Sequence, residues 1–244
     1  MDYEKYRQAI GQRVSTRRFA GGAVAESELD KLRGLVGAYN EESGLSMQLV
    51  VGDTAPFEGK QASGMFQGSS GYLALIGKAS DAHRMEKEGY FGERFVLEAT
   101  SMGIGTCWVA SSFGREKSAA SVGEGEILDL AIVFGIAEKK LSLKEKMIRK
   151  VLGKNARTIA DVAPDAEVSP EWFKAGVYAV MKAPSTKNSM PFLFAFNNGA
   201  AVAKAAGDHE RVMVDLGIAK LHFEIGAGNG KWEQGDNALF IRSA

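Results

Sequence analysis

Residues 11–19 read GQRVSTRRF, and the rest of the chain is arranged so as to complete this stretch. Arg13, Ser15 and Arg17 fall at alternate positions, so an extended backbone projects them to one side. Arg18 adds a third guanidinium beside them, and Phe19 supplies an apolar anchor. Guanidinium forks and a hydroxyl on one side suit a dianionic phosphate, because charge-assisted bidentate hydrogen bonds are the strong ones. On these residues alone the ordinary alternative is a solvated basic loop between two helices. A second stretch, far along the chain, shifts the weight.

That stretch is 183–192, APSTKNSMPF, at the end of one apolar helical run and directly before another apolar segment. Pro184 and Pro191 fix the backbone. Ser185, Thr186 and Asn188 present short hydrogen-bonding groups able to read the polar edge of a ring. Pro, Ser and Asn are also ordinary turn formers, and a turn is needed here in any case.

Composition sets the outer limits. The chain has 244 residues, 45% of them hydrophobic, enough for one substantial core or two closely packed halves. Thirty basic residues balance thirty acidic ones, which argues against a nucleic-acid binder. Its one cysteine, Cys107, has no internal disulfide partner, which points to a reducing compartment. No apolar run approaches the roughly 20 residues of a membrane span, and the first 13 residues are polar and amphipathic. The expectation is a cytoplasmic protein with neither a membrane nor a nucleic acid as partner.

Between the two stretches, periodicity places the elements. Tyr3, Tyr6 and Ile10 mark a short first helix, and Leu29, Leu32, Leu35 and Val36 a second that starts after Ala25 and ends near Gly37. Residues 45–51 read as a strand, 57–71 as a Gly- and Ser-rich loop able to cover a ligand, and 72–76 as a buried strand. A long helix follows over 83–103, with Phe91, Phe95, Ala99 and Met102 on one face. Residues 127–136 are almost continuously apolar, as a central strand requires. Residues 141–152 read as a basic amphipathic surface helix, within a basic run over 139–154. The segment 164–170 reads as a joint, after which the order partly repeats: helix over 172–181, strand over 192–196, long helix over 211–228, closing strand over 238–241. Residues 98–108 and 224–232 echo one another as Gly-rich helix ends leading to a tryptophan.

Three motifs together resemble the flavin-dependent nitroreductase family: the Arg-x-Ser-x-Arg-x-Phe pattern from Arg13, the GIGTCW run at 103–108, and Ala-Pro-Ser-x-x-Asn-x-x-Pro-Phe from Ala183. The closest match is its single-chain, two-repeat subgroup. The resemblance implies an α+β fold, a three-layer α/β/α sandwich in which two quasi-repeats, 1–163 and 164–244, imitate the family's homodimer. Ordinary members carry both the arginine–serine and the Ala-Pro-Ser pattern near the amino terminus, and two subunits share each flavin. Here 39–45, YNEESGL, stands where the second pattern belongs, so one chain keeps one of the two flavin sites. The expectation is a monomer that binds one FMN.

By the same resemblance, Arg13, Val14, Ser15 and Arg17 meet the FMN phosphate, ribityl chain or pyrimidine edge. Arg17 is the cation placed near N1 and the C2 carbonyl. Pro184, Ser185, Thr186 and Asn188 approach from the other half, and backbone groups of Val109, Ala110 and Ser111 meet N5. Ala110-Ser111 departs from the usual Glu-Gly, which removes a local charge. Met190 stands where many members have Gln. Arg157 is the late phosphate-binding residue, with Lys154 next in line. The implied activity passes hydride from NAD(P)H through flavin N5 to an oxidant such as a nitroaromatic or quinone; a flavin carrier or sensor with little turnover is the alternative. No Rossmann fingerprint appears in either Gly-rich run. Cys107 reads as a small buried hydrophobe, and His83, His209 and His222 lack metal-ligand spacing. Asp215 and His222, seven apart, read as one face of an amphipathic helix.

Overall fold

The computed structural model describes residues 1–58, 65–138, 147 and 157–242. The basic helix expected over 141–152, Lys154 and most of the basic run lie outside the described residues, as does the stretch 59–64 of the Gly- and Ser-rich loop. The fold is mixed α and β, as expected, and among the described residues it holds two antiparallel sheets. The chain forms two compact units interleaved in sequence: one of Met1–Gly11, Met85–Glu93 and Ile148–Ala244, the other of Gln12–Arg84 and Arg94–Met147. Among the described residues no helix is long and apolar enough to cross a membrane.

The unit that holds Gln12–Arg84 contains helix α2 (Glu26–Ser43) and strands β1 (Gln48–Val51), β2 (Gly71–Lys78), β3 (Gly105–Val109) and β4 (Glu126–Gly135). The strands pair antiparallel in the order β1-β2-β4-β3. β2 and β4 lie in the middle and are buried on both faces, which is why their sequences are continuously apolar and lack alternation. On one face Tyr72, Ala74, Ala131 and Val133 pack against Phe19, Phe57, Phe66 and Phe113. On the other, Phe134 meets Phe95 edge-on at 6.2 Å. Phe57 and Phe66 are thus core residues, which corrects the expectation that everything between 57 and 71 is a covering loop. α2 also runs past Gly37: Tyr39 and Ser43 extend its buried stripe, and Gly44, left-handed at φ 75°, ends it with its N–H on the Asn40 carbonyl.

The other unit contains α1 (Tyr3–Gln12, to Gly11), the short α4 (Ile159–Val162), α5 (Glu171–Val180) and α6 (Val212–Ala227). Its strands are β5 (Phe192–Asn197), β6 (Ala200–Ala205), β7 (Gly230–Trp232) and β8 (Ala238–Arg242), in the order β5-β6-β8-β7. Strand order and the helix between the second and third strands repeat those of the first sheet. β8 alternates, with Ala238 and Phe240 buried and Leu239 and Ile241 exposed, so this sheet keeps one open face. Its core is aromatic: Phe194 stacks on Phe223 at 5.2 Å, and Phe240 and Trp232 close around the same ring at 5.3 and 5.1 Å. Gly176 of α5 leaves room for that ring, since a Cβ there would lie 2.6 Å from it.

The same unit takes Met85–Glu93 from helix α3 (Arg84–Ser101), and this half of α3 crosses α6 at two glycines. A Cβ on Gly89 would stand 2.1 Å from the Val214 carbonyl oxygen; one on Gly217 would stand 2.0 Å from that of Glu86. Each glycine faces the carbonyl three residues ahead of the other, the reciprocal pattern of a two-fold contact. Twelve consecutive residues of α6, Val214 to Ile225, are buried, so it is not the amphipathic helix its sequence suggests but a core element enclosed on all sides.

Buried polar groups along the seam are paired across it. The Lys220 ammonium donates to Glu86, to the Gly235 carbonyl at 2.7 Å and to that of Glu233 at 3.2 Å. Burial lowers the Lys220 pKa, and the Glu86 carboxylate opposes that shift. Tyr90 donates to Glu224 at 2.9 Å. His222 puts Nε2 3.0 Å from Glu93 and Nδ1 3.1 Å from the Ala179 carbonyl, so it is bound to Glu93 and not to Asp215.

Gly217→Ala forces α3 and α6 apart and should destabilise the fold by about 1–3 kcal/mol. Gly37→Ala, on the exposed face of α2 with nothing within 4 Å of the new Cβ, should stabilise it by about 0.5–1 kcal/mol. Urea denaturation of the two variants checks the opposite signs.

Candidate functional site

The arm ahead of α2 is extended because neighbouring strands and turns hold it by its backbone. Thr16 N–H donates to the Thr106 carbonyl of β3 at 2.8 Å, Ala20 N–H to Ile136 at 2.8 Å, and Phe66 N–H to Arg17 at 2.8 Å. Gly68, at φ 73°, permits the close approach: a Cβ there would lie 2.6 Å from the Phe19 carbonyl oxygen. Thr16 and Phe19 are buried, while Arg13, Ser15 and Arg17 are partly exposed at alternate positions. Arg17 Nη1 reaches back to the Ser15 carbonyl at 3.5 Å. Val14 is exposed. Arg18 pairs with Glu138 at 3.6 Å.

Val109, Ala110 and Ser111 follow at the end of β3, in the same unit. The Val109 side chain is buried in the aromatic and aliphatic cluster, so what it presents is backbone. Arg115 donates to the Ala110 carbonyl at 2.9 Å and to that of Leu128 at 3.0 Å, while its guanidinium lies over the Phe113 ring at 4.6 Å. This clamp fixes the peptide between Ala110 and Ser111. Cys107 is buried in the same cluster, its thiol 3.5 Å from the Trp108 carbonyl.

In the other unit, the loop from Pro184 to Met190 closes on itself. Ser185 Oγ accepts from the Met190 N–H at 2.9 Å, Asn188 N–H donates to the Ser185 carbonyl at 3.0 Å, and Ser189 Oγ donates to that of Thr186 at 2.7 Å. Lys187, Asn188 and Met190 all have positive φ, at 52°, 57° and 48°. Three such non-glycine residues within four persist only where surrounding structure over-determines them, as happens at ligand clamps. Two side chains provide that constraint. Arg157 donates to the Met190, Phe192 and Asp161 carbonyls, the first two at 2.8 and 3.2 Å. Asp215, in the first turn of α6, accepts the Thr186 N–H on both carboxylate oxygens at 3.0 and 3.1 Å.

Neither Asp215 nor His209 was singled out from sequence as part of this loop. The available signal was a lone acid inside the apolar run that opens α6. His209 Nδ1 accepts from the Arg211 N–H at 3.3 Å, which leaves the ring proton on Nε2, 3.4 Å from Asp215. Burial raises the Asp215 pKa to about 6, against the opposing hydrogen bonds of the Thr186 amide and hydroxyl and the field of His209.

An acid with a folded pKa above its unfolded value favours the folded state only when protonated. Its contribution therefore falls as pH climbs from about 4 to about 6, and above that it costs about 3 kcal/mol. The unfolding free energy of Asp215→Asn relative to the parent should rise by up to that amount between pH 4 and pH 7 and then level off, as measured by urea denaturation across the range.

The arm, the clamped peptide and the strained loop can be set beside known proteins. A family model described as "Putative TM nitroreductase" matches residues 5–227. The solved structure of a "putative nitroreductase" from Thermotoga maritima is similar at a TM-score of 0.66 and 21% identity, over 98% of this chain and 94% of that one. At that identity the likeness establishes a shared fold. A nitroreductase family protein from Clostridium novyi NT matches at 19% identity and a TM-score of 0.46, over 55% of this chain and 86% of its own. A nitroreductase with bound FMN from Bacteroides fragilis matches at 16% and 0.44, over 57% and 92%. No curated protein matches. With all but the ends of the sequence covered by one family model, the chain belongs to this nitroreductase family and is, in that general sense, an oxidoreductase.

Proposed function

We propose that this protein is an FMN-dependent oxidoreductase that takes its electrons from NAD(P)H and gives them to a small oxidant such as a nitroaromatic or quinone. The observation that carries the reading is the arm: Arg13, Ser15 and Arg17 alternate, partly exposed, on a backbone pinned through Thr16 and Phe19. Two guanidinium groups and a hydroxyl held in this way fit a phosphate dianion and the polar edge of a flavin. Bound FMN would supply the hydride chemistry, at its N5.

The chain's own residues bind and orient. Arg13, Val14, Ser15 and Arg17 serve the phosphate, ribityl and pyrimidine groups, with Arg17 the cation for the pyrimidine edge. Val109, Ala110 and Ser111 offer backbone groups on a peptide that Arg115 keeps from turning. From the other unit, Pro184, Ser185, Thr186 and Asn188 present a preorganised loop whose ordering cost is met within the fold. Arg157 serves this set by holding the Met190 and Phe192 carbonyls, and so fixes the end of the loop.

The test is the visible spectrum of the purified protein, with FMN quantified after denaturation and molar mass measured by light scattering. A monomer with about one FMN is expected. Arg13→Ala and Ser185→Ala should each weaken FMN binding, by about 10- to 100-fold for the arginine. NADH or NADPH oxidation should then depend on added quinone or nitroaromatic. A colourless protein that takes up no FMN overturns the cofactor, two flavins per chain overturn the single site, and a loaded protein without turnover leaves a flavin carrier.

A further inference from the structure

The ladder between β3 and β4 ends at Val109, opposite Ala131. Just beyond, β4 carries a bulge: Leu75 and Ile76 of β2 pair with Leu130 and Leu128, so Asp129 is the extra residue. Its carboxylate accepts from Arg84 at 2.6 Å, and Arg84 also donates to the Lys78 and Ala79 carbonyls at 3.2 Å, which fixes the bulge. Successive carbonyls of a regular strand point to opposite edges, yet those of Leu128 and Asp129 both accept from the Arg115 guanidinium, at 3.0 and 2.5 Å. Its third acceptor is the Ala110 carbonyl at 2.9 Å. Arg115 thus takes over from the ladder where β3 parts from β4, and it decides which way the Ala110–Ser111 peptide faces. A trans peptide is planar and its N–H opposes its C=O, so a carbonyl turned to the guanidinium leaves the Ser111 N–H pointing away from it. Ser111 is exposed, and among the described residues no acceptor takes that N–H.

We propose that Arg115 is a positioning residue that locks this peptide with its N–H outward, so that the site donates a hydrogen bond to N5 of oxidised FMN and cannot turn a carbonyl toward the N5–H of the reduced flavin. The inference rests on the FMN reading above. Oxidised N5 carries a lone pair and accepts; reduced N5 carries a proton and donates. A peptide free to turn over would serve both states, whereas a locked one favours the oxidised state. Residue 111 adds a second lock. Turning the peptide over changes φ of the residue after it by about half a turn, and Ser111 is not among the residues with positive φ. The reversed peptide would carry it into that region, which glycine enters readily and serine does not.

The midpoint potential of bound FMN, measured anaerobically against a reference dye at pH 7.5, tests this in the parent, Arg115→Gln, Ser111→Gly and the double variant. Fluorescence titration gives the affinity for oxidised FMN, and circular dichroism and Tm report on folding. Arg115→Gln frees the carbonyl, and Ser111→Gly removes the backbone penalty at an exposed position. Each should shift the ratio of oxidised to reduced affinity about tenfold toward the reduced flavin, the worth of one hydrogen bond. For a two-electron couple that raises the potential by about 30 mV. The double variant should shift at least as far as either single one. A guanidinium acting only through its field would favour the anionic reduced flavin, so its loss would lower the potential. A guanidinium that only supports the fold would, when lost, weaken both states alike and leave the potential unmoved. Either result in Arg115→Gln, or an unmoved potential in Ser111→Gly should Arg115→Gln fail to fold, overturns the proposal and leaves the FMN reading standing. A parent protein that binds no FMN removes both.

Discussion

The approach of α3 to α6 at Gly89 and Gly217 is the constraint on which the unit containing α6 depends. Backbones that meet with carbonyl oxygens about 2 Å from where a Cβ would be leave no room for side chains at the crossing. Everything around α6 must therefore close at short range: α5 gives way at Gly176 to admit the Phe223 ring, and Phe194, Trp232 and Phe240 fill the remaining space. Interiors packed to this density tolerate neither added volume nor an unpaired charge. That accounts for the hydrogen-bonded state of Lys220, His222 and Glu224 along the same helix.

The strained loop at Pro184–Met190 depends on this rigidity. Three left-handed residues in a row of four would relax if nothing held them. One strap comes from α6 itself, through Asp215, and so inherits the fixed position of a fully enclosed helix. The other comes from Arg157, just ahead of α4. In the other unit the arm is treated alike: Arg13, Ser15 and Arg17 stay partly exposed, and the work of placement falls to backbone hydrogen bonds and to two buried neighbours, Thr16 and Phe19.

Much of this was legible in the sequence where one physical signal dominated. The continuous apolar run of β4 announced a strand covered on both faces. What escaped depended on partners distant in sequence. β6 is a run of alanines around Val202 and Lys204, weak in strand propensity, and forms because Asn198 and Gly199, both left-handed, turn the chain back on β5; that Asn-Gly pair was the overlooked cue. β7 is three residues long and carries no period. The end of α2 was misplaced because an interior glycine resembles a terminator until Tyr39 and Ser43 are seen to be buried. Asp215 and His222 were grouped by helical spacing, yet full enclosure of α6 gives every direction a different neighbour: a loop and His209 for one, Glu93 for the other.

The contacts along α3 and α6 are reciprocal in backbone and one-sided in charge. The glycines would serve equally well if either helix met a copy of itself, but the side chains would not. Two α3 helices crossing in this manner would bring Glu86 and Glu93 to a seam without Lys220 and His222, and two α6 helices would bring the Lys220 ammonium groups together without Glu86. Buried like charges of that kind are prohibitive at low dielectric. The crossing thus keeps the backbone geometry of a symmetric pair while admitting only unlike members.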